Sequence, residues 1–193
     1  MKQRLLLVPF LISMAVSPAR AQTSPDLLNQ ADLQIKRLPP TAFPELTGEI
    51  VRDLLSRGCT IPQPFASSSP ENVIHGEFAK PDQQDWAVLC SVNRMSSILI
   101  FWGGSTRDVS EVYKDADKNR LQSVGNDEIG YSRGISPAGK QYIESHYALH
   151  REAAGVLEPP PIDHQGINDA FLGKASTVHY FFQGKWVELA GAD

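Results

Sequence analysis

The chain has 193 residues, 41% of them hydrophobic, which is enough to bury a sizeable core. Its 18 Lys and Arg stand against 22 Asp and Glu, a formal net charge of −4 at pH 7. That balance excludes the broad basic face that nucleic acid requires.

The first 21 residues read as an export signal. Lys2 and Arg4 make a basic start, Leu5 to Val16 is mostly apolar, and Ala19-Arg20-Ala21 supplies a small-x-small cleavage pattern, with cutting expected after Ala21. The apolar stretch is too short to cross a bilayer core of ~30 Å as a helix, and no later run approaches that length, so no membrane span is expected after cleavage. The processed chain begins at Gln22 and loses three basic residues, which leaves 15 against 22 acidic, a charge of −7. The localisation this implies is periplasmic or secreted. Cys59 and Cys90 are the two cysteines, and an oxidising compartment favours a disulfide between them. The alternative, a catalytic thiol, is disfavoured because Cys90 lies in an apolar strand that opposes a thiolate.

Residues 22–43 read as an extended or loosely helical lead-in interrupted by Pro25, Pro39 and Pro40. Residues 44–193 read as a single globular domain. From Pro44, the spacing of Leu46, Ile50, Val51, Leu54 and Leu55 predicts a helix with one apolar face, ended by Gly58 in the left-handed position. Strands follow at 72–79, 86–92 and 98–102, the last two joined as a hairpin, with weaker ones at 109–114, 119–124 and 128–133. Ser136-Pro137 has the pattern of a helix cap and first turn, and predicts a helix running to about Ala154. "STVHYFFQGKWVEL" reads as a terminal hairpin around Gln183-Gly184. The fold class is α+β, a mostly antiparallel sheet with two or three helices packed outside it.

Within this pattern, "GEFAKPDQQDWAVL" followed by "SSILIFWGG" resembles one FG-GAP repeat, the calcium-loop blade unit of integrin-type propellers, over residues 76–103. Gly76, Phe78, Asp85, Ala87 and Val88 fit the family pattern, and Glu77 stands where Asp is usual. The resemblance implies calcium held by Glu77 and Asp85. Ala79 and Pro81 occupy two ligand positions without a side-chain oxygen, against an ion that takes six to eight. The segment is therefore read as a strand–turn–strand whose metal site is lost. "DHQGIND" gives a second acidic set, Asp163 and Asp169 about Gly166, but it lacks the alternation of a calcium loop and reads as an Asx-type turn before a strand. The end of the chain, "KAS…Y…GKW…L…GAD", resembles a group of uncharacterised exported bacterial proteins. That likeness implies a compartment and no activity.

His146 and His150, four residues apart on the Ser136 helix, could share a zinc with a third ligand such as His164, but Tyr147 stands where a zinc hydrolase keeps its Glu. The other reading has both rings at the edge of the core, bonded to carbonyls. His75 and His179 fall in strands without triad partners. No serine sits in a nucleophile elbow, and no catalytic residue or cofactor is assigned. Trp86, Trp102, Trp186 and "YFF" could supply core or a binding face. The expected function is a non-catalytic binding or interaction module of the cell envelope, its partner a protein, peptide or glycan. The alternatives are a metal-dependent or His-based hydrolase at His146/His150, and a calcium-stabilised structural domain.

Overall fold

A computed structural model describes residues 25–126, 128–154 and 159–191, and only the backbone of 149–154. The expected signal segment, residues 1–21, and its expected cleavage point lie outside the described residues. The elements in order are α1 (Pro25–Gln34), β1 (Arg37–Leu38), α2 (Gly48–Ser56), β2 (Ile61–Pro62), β3 (Val73–Gly76), β4 (Asp85–Val92), β5 (Met95–Phe101), β6 (Val109–Ala116), β7 (Leu121–Gly125), β8 (Glu128–Tyr131), β9 (Arg133–Ala138), α3 (Lys140–Ala154), β10 (Gly166–Phe171), β11 (Ala175–Phe182) and β12 (Lys185–Gly191). Every pairing is antiparallel, and the two main sheets have the orders β3-β4-β5-β6 and β12-β11-β10-β9.

Side-chain alternation sorts these sheets into layers. Val88, Cys90, Leu99 and Phe101 project from one face of the first sheet and pack with Ile50 and Leu54 of α2. Ala87, Leu89, Ile98 and Ile100 project from the other face and meet Ile135 and Ile167 of the second sheet. The far face of the second sheet gives Val178, Tyr180 and Leu189 to Ile143 and Tyr147 of α3. The order is therefore helix, sheet, sheet, helix. Each fully buried Ile, Leu or Phe in these clusters contributes about 1.5–3 kcal/mol.

Local chemistry explains the well-formed elements. Thr47 caps α2 by accepting from the Ile50 amide. At its other end Gly58 has φ +73°, Gly58 N–H bonds Leu55 O, and Cys59 N–H bonds Leu54 O, the paired bonds of a Schellman stop. Cys59 is thereby delivered to Cys90 of β4, with which it forms a disulfide at a Cα–Cα distance of 5.4 Å. A two-way backbone bridge between Thr60 and Ser91 lies beside it. The β4–β5 turn, Asn93-Arg94, and the β11–β12 turn, Gln183-Gly184, both have positive φ at the two central residues, as a tight right-twisting hairpin needs.

Two expectations are corrected. Ser136 and Pro137 do not open a helix; they belong to β9, and α3 starts at Lys140. Arg133 and Ile135 alternate inward toward the first sheet, Ala138 is buried on the opposite face against α3, and Pro137 pairs with Ile167 on an outermost strand, where a missing N–H is tolerated. The second correction is "DHQGIND", which is not one turn. Gly166 to Phe171 is β10, an inner strand of the second sheet.

Candidate functional site

The site begins with a defect in a sheet. Along β5 the pairs Ser96↔Asp115 and Ile98↔Val112 leave β6 one residue too long, which is a bulge. Tyr113 sits in it at φ +45°, the left-handed region where glycine is usual and a bulky residue is strained. The bulge leaves the Ser96 and Tyr113 carbonyls pointing between the sheets. Arg133, fully buried, donates Nη1–H to Ser96 O and Nη2–H to Tyr113 O, both at 3.1 Å. Its Nε and Nη2 also bond the two oxygens of Asp169 at 2.9 Å each. One guanidinium thus satisfies the backbone of one sheet and an acid of the other.

Burial opposes the Arg133 charge, but Asp169 more than offsets this and raises its pKa. Burial would likewise raise the Asp169 carboxyl, yet His179, Arg133 and Arg120 outweigh it and hold Asp169 at about 2, below the usual 3.8. His179 is fully buried, its Nε2 3.7 Å from Asp169 and its Nδ1 3.6 Å from Glu188, with neither nitrogen hydrogen-bonded. Burial also raises the Tyr131 phenol, whose hydroxyl lies in the same polar seam. A carboxyl depressed by folding stabilises at neutral pH and ceases to do so as pH falls through its unfolded and then its folded pKa. Stability is accordingly expected to drop by about 2 kcal/mol from this group between about pH 5 and pH 2. Urea titrations across that range should show this component in the natural chain and lose it in the double variant Arg133→Met/Asp169→Leu. Parallel curves would assign the acid sensitivity elsewhere.

Above the ion cluster lies a cleft of about 290 Å³, walled by Tyr113, Asp115, Asn119, Arg120, Asp169, Phe171 and Thr177. Arg120 stands between two rings, 5.1 Å from the Tyr113 centroid and 5.7 Å from that of Phe171. Larger hollows exist, one of about 690 Å³ beside His75, Glu77 and Asp82 and one of about 460 Å³ beside Leu27 and Phe65. The smaller cleft is favoured because its wall includes Asp169, whose carboxylate is part of the fully buried ion cluster.

A second buried acid ties in the N-terminal segment. Asp117 accepts from Ser91 Oγ (2.6 Å), Ser96 Oγ and Arg37 Nη2 (2.7 Å), and Arg37 also bonds Asp32 of α1. This network anchors α1 to the same end of the molecule as the bulge.

The residues singled out in the sequence take other places. Both oxygens of buried Asp85 are occupied: Oδ2 accepts from the Phe78 and Ala79 amides, and Oδ1 from Gln83 Nε2 and the Gly103 amide. Glu77 lies in the adjacent loop, its amide bonded to Gln165 Oε1. His146 is buried, Nδ1–H donating to Tyr142 O, while Nε2 accepts from Ser176 Oγ at 2.7 Å. This serine–imidazole pair has the spacing of a nucleophile and base. Ser176 borders the cleft, but by strand alternation its side chain projects with Val178 and Tyr180 toward α3, on the opposite face from Asp169 and Thr177. The side chain of His150 lies outside the described residues. His164 donates Nδ1–H to Gln165 O and stacks on Tyr180 at 4.4 Å. Asp163 accepts from Tyr180 and is largely exposed, whereas Asp169 is mid-strand and paired. Among the described residues no three His, Cys, Asp or Glu side chains group as a metal site, and no helix is long and apolar enough to cross a membrane.

The chain matches no family model, no curated protein and no solved structure.

Sequence reasoning passed over Tyr113, Arg120 and Arg133. Arg133 leaves one faint trace: it holds an inward position in the period-two pattern it shares with Ile135. Nothing in the sequence marks the bulge that gives it partners.

Proposed function

We propose that this protein is a non-catalytic binding module exported to the cell envelope, periplasmic or secreted, whose ligand enters the cleft beside Tyr113. The observation that carries the reading is Tyr113 itself. A tyrosine held at φ +45° places a half-exposed ring over Arg120, which lies above a buried Arg133–Asp169 pair. Strain of about 1–2 kcal/mol at a non-glycine residue persists where the surroundings enforce it, and such residues cluster at binding sites. Residues 1–21, with their basic start and small-x-small end, support export, and the disulfide fits an oxidising compartment. Engagement of both His146 nitrogens weighs against the hydrolase reading. Saturation of Asp85 by N–H donors weighs against the calcium reading, and it gives the FG-GAP-like segment a turn held by hydrogen bonds.

Two Tyr113 variants test this. Tyr113→Gly relieves the backbone strain as it removes the ring, and is expected to keep the melting temperature within a few degrees of the natural chain's. Tyr113→Ala keeps the strain and should cost about 1 kcal/mol. Native mass spectrometry of protein taken from the exported fraction should show a co-purifying small molecule or peptide that both variants lose. A ligand retained in full by Tyr113→Gly, or a natural chain that neither carries a ligand nor takes one up on titration, overturns the cleft as the binding site.

A further inference from the structure

Arg120 is held but not satisfied. Its guanidinium is sandwiched between Tyr113 and Phe171, yet its nearest acids are Asp115 Oδ2 at 3.5 Å from Nε and Asp169 Oδ2 at 3.9 Å from Nη2. Both distances are ion-pair contacts beyond hydrogen-bond length, so among the described residues its side-chain donors make no hydrogen bond. Asp169 does not need Arg120, because Arg133 already bonds both of its oxygens. Asp115 is divided. Its Oδ1 accepts from Asn119 Nδ2 at 2.7 Å and the Ala116 amide at 2.8 Å, while Oδ2 has only the distant Arg120. The cleft therefore presents one uncommitted cationic fork between two aromatic rings, and one uncommitted carboxylate oxygen beside it.

We infer that the cleft binds a small zwitterion, a free α-amino acid, with its carboxylate on the Arg120 guanidinium and its ammonium on Asp115 Oδ2. The inference rests on the binding-module reading and names its ligand class. A guanidinium fork matches a carboxylate in shape and can bond it bidentately. A simple anion would take Arg120 from Asp115 and then face that unpaired acid. A simple cation would leave Arg120 facing an occupied acid. A ligand that carries both charges on groups attached to one carbon replaces one loose pair with two closed ones, and leaves no charge unpaired in a half-buried site. A space of about 290 Å³ suits a single residue and not an extended peptide.

The test is calorimetric titration of the purified full chain with a panel of free L-α-amino acids, and with acetate, ethylammonium and inorganic phosphate as single-charge probes, all at one ionic strength. At least one amino acid is expected to bind ten-fold or more tightly than each single-charge probe. Arg120→Gln and Asp115→Asn should each weaken that binding ten-fold or more. Because either variant could also disturb the fold, amide and Arg Nε–H chemical shifts of the unaltered chain give a second readout, with changes expected at Arg120, Phe171 and Thr177. The inference is overturned if no amino acid exceeds acetate and ethylammonium, if phosphate binds equally well, or if the shifts fall elsewhere. Should a co-purified ligand of another class occupy the cleft, the amino-acid assignment fails while the binding-module reading stands; a natural chain that arrives empty and takes up no probe in the titration removes both.

Discussion

Replacing Arg133 by methionine is expected to destabilise the fold by about 3–5 kcal/mol. Three losses combine. Asp169 would be left as an uncompensated charge in a fully buried position, and the Ser96 and Tyr113 carbonyls, opened by the bulge in β6, would lose their donor. The pair itself need not be favourable. Two charges removed from water recover that cost only through good geometry, so exchanging both partners for apolar side chains is much milder than removing one. Arg133→Met/Asp169→Leu should therefore recover most of the loss, with about 1–3 kcal/mol remaining from the unpaired carbonyls. Urea unfolding of the natural chain, the single variant and the double variant gives the comparison. A single variant within 1 kcal/mol of the natural chain (about the uncertainty of such measurements) would show that the site tolerates a lone acid, and the architecture of the seam would have to be redrawn.

The second large effect belongs to Cys59–Cys90. The bridge closes a loop with a sequence separation of 31 and joins the end of α2 to β4. In the loop-entropy account this is worth about 3–4 kcal/mol, through the freedom it removes from the unfolded chain. The double variant Cys59→Ala/Cys90→Ala should unfold about 10 °C lower, given the few degrees per kcal/mol typical of this chain length. It should still reach the same fold, because the Thr60–Ser91 bridge and the burial of Ile50 and Leu54 are independent of the sulfurs. Thiol labelling of unreduced purified protein offers a direct check: two reactive sulfurs in the natural chain would contradict the bridge outright.

What could be read in the sequence was whatever depends on neighbours along the chain. The apolar stripe of α2 and its Gly58 stop are written within a dozen residues. So are the β4–β5 hairpin and the Gln183-Gly184 turn, each of which needs only two β-rich runs joined by a short connection whose central pair has positive φ. Ser136-Pro137 misled because the same two residues suit a helix start and the exposed end of an outermost strand. The deciding contact, Pro137 with Ile167, lies thirty residues away in the chain. The cleft was illegible for a stronger form of that reason. Asp169 drew notice only as a possible calcium ligand, whereas its character comes from Arg133, His179 and Arg120 on three other segments. Tyr113 gives no sign of its left-handed backbone, since tyrosine is no common choice there.

The order of strands in the second sheet has a consequence for how the molecule is made. α3 packs on β11 and β12, so its buried side lacks part of its cover until residues 185–191 have left the ribosome. During synthesis the helix would emerge as an amphipathic segment without a complete partner, and the sandwich could not close around it. A nascent chain kept open in this way commits to its final shape only once its last hairpin has been released.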